Sequence, residues 1–216
     1  MGFFYKEYDE ILKYNAKNGL KSAKIVAVSK NHSRESVNLA IKHGVKIFGE
    51  NKVQEAKEKF IELKSKNPNL ELHLTGPLQT NKTKIALEIF DVFQTLDREK
   101  LALEFIKNNE KFKLKKYFIQ VNTGYEKTKS GIMPNIANQF IRFCTKDLLL
   151  PVIGLMCIPP INENAKDHFL LLKKIAQENR LKHLSMGMSD DYKEAILCGA
   201  TYIRIGTKIF GSRYAN

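Results

Sequence analysis

Short apolar runs rich in β-branched residues alternate with amphipathic stretches along most of the chain. The sharpest run spans residues 24–29, where Ile25, Val26, Ala27 and Val28 follow one another without a polar break and give way to Ser29 and Lys30. Loss of polar alternation predicts a strand covered on both faces, as in a parallel sheet packed by helices. Ahead of it, Phe3, Phe4, Tyr8, Ile11, Leu12 and Tyr14 recur at near-helical spacing until Asn18-Gly19, so an amphipathic helix is expected to lie against the main body. Behind it, Ser33 caps a helix to about His43, with Gly44 as its stop. Further strands are predicted at 45–48, 70–75, 92–96, 117–122, 151–156, 183–186 and 202–205. Helices are predicted at 52–66, 80–90, from an Asp97 cap to Asn108, from Pro134 onward, and at 163–179 and 190–198.

Eight strands alternating with helices predict an α/β fold, a (β/α)8 TIM barrel with an extra N-terminal helix and one domain over residues 1–216. An open doubly wound sheet would place a glycine-rich turn after its first strand, and no such turn follows Lys30. The 216 residues, 43% of them hydrophobic, suffice for one core of this size.

Composition narrows the function classes. Cys144, Cys157 and Cys198 are widely spaced with no CxxC pair, so neither a disulfide framework nor a zinc site is expected. The opening Met1-Gly2-Phe3-Phe4-Tyr5-Lys6-Glu7-Tyr8 lacks the long apolar core of a signal peptide, and no run approaches membrane-spanning length. The expectation is a soluble cytoplasmic protein. Lys and Arg number 36 against 23 Asp and Glu, a net charge of +13 that raises the question of a polyanionic partner. The lysines are scattered, and those at 57, 59, 64 and 66 share a helix with Glu55, Glu58 and Glu62. Lys111, Lys113, Lys115 and Lys116 form the one local cluster, but no helix-turn-helix or aromatic-interleaved motif accompanies it, so specific nucleic-acid recognition is not expected.

In a barrel, functional groups project from the C-terminal ends of strands, and phosphate commonly binds after strands seven and eight. Lys30 stands at the end of strand one. A lysine at the edge of an apolar interior can become a nucleophilic amine; the other reading is a side chain that snorkels into water. Ser185-Met186-Gly187-Met188-Ser189 follows strand seven, and Gly206-Thr207 follows strand eight and leads into a short helix at 207–210. Two such loops can cradle an anion through backbone N–H groups, hydroxyls and a helix N-terminus, or each can be an ordinary capped turn. Arg204, within strand eight, needs an acceptor from a carboxylate or a ligand. Asn51, Asn122 and His73 can orient a ligand in the mouth, and His73 equally suits a hydrogen-bonded core position. Met156 can pack in the core or present its thioether to a flat ring. Pyridoxal 5′-phosphate (PLP) satisfies the amine, the cradle and the arginine at once. Because a guanidinium keeps its proton, Arg204 would donate to an unprotonated ring nitrogen, which makes the ring a weaker electron sink.

Ala27-Val28-Ser29-Lys30, Phe48-Gly49-Glu50-Asn51 with Val53-Gln54-Glu55, and His73-Leu74-Thr75-Gly76-Pro77-Leu78-Gln79-Thr80-Asn81-Lys82 occur here in order. Gln120-Val121-Asn122, Lys129-Ser130-Gly131, Gly154-Leu155-Met156, Leu184-Ser185-Met186-Gly187-Met188-Ser189-Asp190 and Arg204-Ile205-Gly206-Thr207-Lys208-Ile209-Phe210-Gly211 follow. In this set and spacing the chain resembles the pyridoxal-phosphate homeostasis protein family over nearly its whole length, a family whose fold is like the N-terminal barrel of alanine racemase. The resemblance implies that Lys30 forms a Schiff base with PLP, that Asn51 lies beside the coenzyme, that Ser185, Gly206 and Thr207 hold the phosphate and that Arg204 faces the ring nitrogen. His73, Met156 and Met186 complete the expected coenzyme-binding set, and no metal is expected. The family often has Thr-Lys-Pro after the lysine, where this chain has Asn31-His32-Ser33.

Two functions are compatible with the resemblance: a non-catalytic PLP carrier or buffer affecting amino-acid and keto-acid balance, and a small PLP-dependent racemase or other PLP enzyme. Two-base racemization needs a second acid/base group, which related racemases supply as a tyrosine from an added β domain. Here the chain closes at Asn216 soon after strand eight, so the carrier is expected, as a monomer with PLP-dependent apo-enzymes as its partners. Lys127 and Lys129 are candidates for a second, transient PLP site.

Overall fold

The computed structural model describes residues 2–19, 22–107 and 109–212. In chain order the elements are α1 (Tyr5–Asn18), β1 (Lys24–Val28), α2 (Arg34–Lys42), β2 (Ile47–Glu50), α3 (Val53–Lys66), β3 (Glu71–Leu74), α4 (Thr83–Ile89), β4 (Val92–Leu96) and α5 (Glu99–Lys107). They continue as β5 (Lys116–Gln120), α6 (Ala137–Arg142), β6 (Val152–Met156), α7 (Ala165–Glu178), β7 (His183–Ser185), α8 (Tyr192–Cys198), β8 (Tyr202–Ile205) and α9 (Thr207–Phe210). Each strand pairs in parallel with its neighbour in sequence, and β8 returns to β1. Closure removes the sheet edge, and the expected (β/α)8 barrel with its additional N-terminal helix is observed. Helix α1 is latched onto the barrel by Asn15, whose side chain donates to Ala23 O (2.7 Å) and accepts from Ala23 N (3.0 Å).

Register partners in a parallel sheet point the same way, which sorts the side chains. Val26 pairs with Arg204, Gly49 with His73, and Met156 with both Gln120 and Ser185, so these residues share the barrel interior. Val26, Val28, Val92, Phe118, Met156 and Tyr202 form a compact apolar cluster there. Residues of opposite parity, such as Ile25, Ala27, Leu155, Leu184, Ile203 and Ile205, belong to the larger cluster that joins barrel to helices.

Several boundaries differ from the sequence expectation. Strand β2 lies two residues later than predicted, at Ile47–Glu50, because Gly49 and Glu50 are sheet residues rather than a turn. A Cβ at Gly49 would come within 3.0 Å of Val26 and 3.2 Å of Val28, so glycine keeps room in the interior. The segment after Gln79 opens as a 3-10 turn at Thr80–Lys82 before α4. Asp97 binds the Arg98 side chain, and α5 starts only at Glu99; its predicted end, Asn108, lies outside the described residues. Pro134 opens a 3-10 turn, Pro134–Ile136, ahead of α6.

The basic cluster is largely neutralised in place. Lys111 faces Glu88 (3.6 Å), Lys113 faces Glu110 (2.5 Å) and Lys116 meets Glu71 (3.0 Å). All three cysteines are buried free thiols. Among the described residues no helix is long and apolar enough to cross a membrane.

Barrel closure depends on one close approach. A Cβ at Gly154 would lie 2.1 Å from the His183 carbonyl oxygen of the adjacent strand. Gly154→Ala should therefore separate β6 from β7 and destabilise the fold by about 1–3 kcal/mol or more, as measured by urea unfolding.

Candidate functional site

Lys30 lies two residues beyond β1 and continues the inward parity of Val26 and Val28. It is half-buried and borders a cavity of about 280 Å³ together with Asn51, Ser189, Arg204, Gly206 and Thr207. Neighbouring space of about 610 Å³ shares Asn51, Thr75, Ile158 and Met188 and extends to Lys129.

The turn that carries Lys30 is fastened from behind. Asn31 adopts φ 61°, a left-handed conformation that asparagine tolerates. Its N–H donates to Glu55 Oε1 at 2.6 Å, and His32 N donates to Ser29 O at 3.1 Å. Lys59 Nζ, reaching in from α3, donates to Ser29 O (2.8 Å), Glu50 Oε1 (2.8 Å) and Glu55 Oε1 (3.0 Å). Ser29 Oγ donates to the same Glu50 oxygen at 2.7 Å. Burial pushes the Glu50 carboxyl above its ordinary range against the pull of Lys59. The His32 ring stacks on Phe210 at 5.2 Å, and Ser33 caps α2 by accepting from Ser36 N. These contacts hold the Asn31-His32-Ser33 turn in one conformation.

Across the mouth, Gly206 and Thr207 end β8, and Ser189 ends the β7 loop. Lys208 N donates to Ser189 Oγ at 3.4 Å, tying the two loops together. Helix α9 has only one turn, so the local anion donors are backbone N–H groups and hydroxyls rather than a helix dipole. Asn51 Oδ1 accepts from Thr75 Oγ1 at 2.9 Å, and Gly76 permits this approach because a Cβ there would lie 2.5 Å from Asn51 O. Asn122 clamps its own loop, donating to Glu126 O (2.8 Å) and accepting from Glu126 N (3.1 Å).

Arg204 is the central electrostatic feature. It is 4% exposed, lines the cavity of Lys30, and forms no ion pair among the described residues. Nη1 donates to Ser185 Oγ (2.9 Å) and Nη2 to Cys157 O (2.9 Å). Burial depresses its pKa, yet guanidinium keeps its proton. Ser185 Oγ donates in turn to Gln94 Oε1 (2.6 Å), and Gln94 Nε2 meets His73 Nδ1 (2.7 Å). His73 Nε2 meets Glu71 Oε1 at 2.8 Å, and Lys116 closes the line on Glu71 Oε2 at 3.0 Å. Burial lowers the His73 pKa and keeps the ring neutral, while the bond from His73 holds the Glu71 carboxyl at about 2.

Lys30, Asn51, Arg204, Gly206 and Thr207 thus converge on one cavity, and four other expected residues do not border it. Ser185 is wholly buried with its hydroxyl committed to Gln94 and Arg204. His73 takes the core alternative and Met156 packs in the interior cluster. Met186, one residue out of phase with Ser185, belongs to the cluster outside the barrel. Ser189 borders the cavity where Ser185 does not; it stands in the quoted motif, and its place four residues beyond the end of β7 brings it to the mouth. Glu50, Lys59 and Gln94 were not singled out, since nothing local in sequence marks a side chain that acts on a distant strand.

Fold and site together define a (β/α)8 barrel protein that brings a lysine, a buried arginine and two small-residue loops to one cavity at its mouth. The chain belongs to the alanine racemase N-terminal domain family, whose model matches residues 11–214, and within it to the pyridoxal phosphate homeostasis proteins. A relative so named from Pasteurella multocida is 40% identical over 209 residues, covering 92% of this chain and 90% of its own. One from Aquifex aeolicus is 38% identical over 208 residues, covering 92% and 90%. Among solved structures, PipY of Synechococcus elongatus with PLP bound superposes with TM-score 0.81 at 32% identity, covering 96% of this chain and 99% of that one. Alanine racemase from Corynebacterium glutamicum shares the fold, with TM-score 0.70 at 14% identity over 96% of this chain and 60% of that one.

The fastening of the Lys30 turn is testable. Lys59→Met leaves Glu50 without its cation and should cost about 3 kcal/mol in urea unfolding, with much of the loss recovered by adding Glu50→Gln. Glu71 gives a pH test. Its folded pKa lies below the ordinary 4.5, so the stability it contributes is complete above about pH 5 and is lost as pH falls toward 2. In Glu71→Gln the acid limb of the Tm profile should flatten over that interval.

Proposed function

We propose that this protein binds pyridoxal 5′-phosphate covalently through Lys30 and keeps it in reserve, buffering the free coenzyme and thereby affecting amino-acid and keto-acid balance. The observation that carries this reading is a buried guanidinium, Arg204, that forms no direct salt bridge among the described residues, feels the Asp191 carboxylate only at longer range, and borders the same cavity as the Lys30 amine. The residues present fit the coenzyme. Lys30 supplies the amine for its aldehyde, Ser189, Gly206 and Thr207 supply donors for its phosphate, Asn51 lies alongside, and Arg204 donates to the ring nitrogen. The PLP-bound PipY structure and the names of the curated relatives support the same assignment.

When bound, the coenzyme supplies a reactive aldehyde on a conjugated ring that can draw electrons from an attached amine. Arg204 favours an unprotonated ring nitrogen and so weakens that pull. Asp190 is the one carboxylate that borders the 280 Å³ cavity, and no Tyr, His or Cys side chain does so among the described residues. The restraint that Arg204 places on the ring favours a non-catalytic carrier over a racemase. On this reading the protein acts as a monomer that releases the coenzyme to PLP-dependent apo-enzymes.

Protein loaded with the coenzyme should be yellow, and borohydride should fix the label on Lys30 in a tryptic mass map. A label on Lys129 or Lys127 instead would overturn the assignment, as would stereospecific α-proton exchange of alanine, well above free PLP and lost in Lys30→Ala, for the carrier role. Thr207→Val should raise the PLP Kd about tenfold, the loss of one charge-assisted hydrogen bond of about 1.5 kcal/mol.

A further inference from the structure

The reading above uses Arg204 and leaves unexplained the buried polar line behind it. The interior holds an apolar cluster of Val26, Val28, Val92, Phe118, Met156 and Tyr202, and hydrophobic packing alone would fill such a space more cheaply than a polar network. Yet Ser185, Gln94 and His73 are all buried, and they join Arg204 to Glu71 in an unbroken series.

The series has one direction. The guanidinium donates to Ser185, Ser185 to Gln94 Oε1, Gln94 Nε2 to His73 Nδ1, and His73 Nε2–H to the Glu71 carboxylate. Turning the Gln94 amide would place its NH2 against the Ser185 hydroxyl and require a proton on His73 Nδ1. A neutral ring would then face the Glu71 carboxylate with a bare Nε2, which is repulsive. The orientation is therefore locked from a carboxylate near the N-terminal ends of the strands to a cation near their C-terminal ends. At the cation end, Ser185 and the Cys157 carbonyl hold both terminal nitrogens of the guanidinium.

We propose that Ser185, Gln94, His73 and Glu71 are positioning residues that set Arg204 on the coenzyme's ring nitrogen, so that the electronic state of the bound ring is tuned from the opposite end of the barrel. This inference rests on the PLP reading above and names residues that do not border the coenzyme cavity. It also explains why β3 and β4, remote from Lys30 in the chain, carry polar side chains into the core.

The test loads the native protein, Ser185→Ala, Ser185→Thr, Gln94→Leu and Glu71→Gln with PLP labelled with 15N in the ring. The ring-nitrogen NMR shift and the visible band are recorded at one pH, on samples whose near-ultraviolet dichroism shows a native fold. Ser185→Ala and Gln94→Leu should move both signals and weaken PLP binding several-fold, and Ser185→Thr should restore native values. Glu71→Gln should move the ring nitrogen in the same direction by a smaller amount. Should Gln94→Leu not fold, the Ser185 pair and Glu71→Gln decide the matter. A coloured native protein whose signals are unmoved by Ser185→Ala and Glu71→Gln, with only Tm reduced, would sink the tuning role and leave the PLP reading standing. A native protein that takes up no coenzyme would sink both.

Discussion

A guanidinium deep inside a closed barrel is the constraint on which the rest of this structure turns. Removed from water and in direct contact with no carboxylate, Arg204 requires every acceptor within reach to be real and fixed. The hydroxyl at Ser185 and the carbonyl at Cys157 meet that need directly, and the first of these needs an acceptor in turn. The requirement passes inward until it reaches a carboxylate, Glu71, that touches both His73 and the exposed Lys116. A β-barrel core is usually filled in apolar layers. Here one polar line is threaded through those layers.

A second, separate device stands behind Lys30. Glu50, Lys59 and Glu55 lie outside the barrel between sheet and α3, and they hold the backbone on both sides of the lysine rather than the lysine itself. The two devices act on opposite walls of one cavity through different strands. One fixes a cation that must not move, the other a turn with an unusual dihedral at Asn31 that must not relax. Their separation means that Lys30 and Arg204 are positioned independently, with closure of β8 onto β1 bringing them together.

Most of the fold is legible in the sequence because parallel strands covered on both faces leave an unmistakable apolar run, and β4 and β8 lie at the predicted residues. What local pattern misses is parity and partnership. Buried strands have no polar face to set their phase, so Ser185 and Met186 look equally suited to the mouth although one points inward to Gln94 and the other outward to the helices. The apolar run ends at Phe48, and pairing with β1 and β3 carries β2 on through Gly49 and Glu50. Asp97 was a plausible helix cap until Arg98 claimed its carboxylate. That Lys30, Gly206 and Thr207 border one cavity was legible because strand-end position identifies them in a barrel, and Arg204 because a cation within a strand needs an acceptor.

Sharing a fold with alanine racemase does not by itself confer its chemistry, since function resides in the site and not in the barrel. Racemization requires that the ring accept charge and that a proton be delivered from each side. A guanidinium held by a relay that ends in a carboxylate is rigidly committed to donating, and it favours a ring nitrogen without a proton of its own. Such a ring binds an amine readily but stabilises a carbanion poorly. On the function proposed above, such a site would retain a reactive aldehyde without consuming what it meets, because the interactions that would secure the coenzyme are also those that would restrain its reactivity.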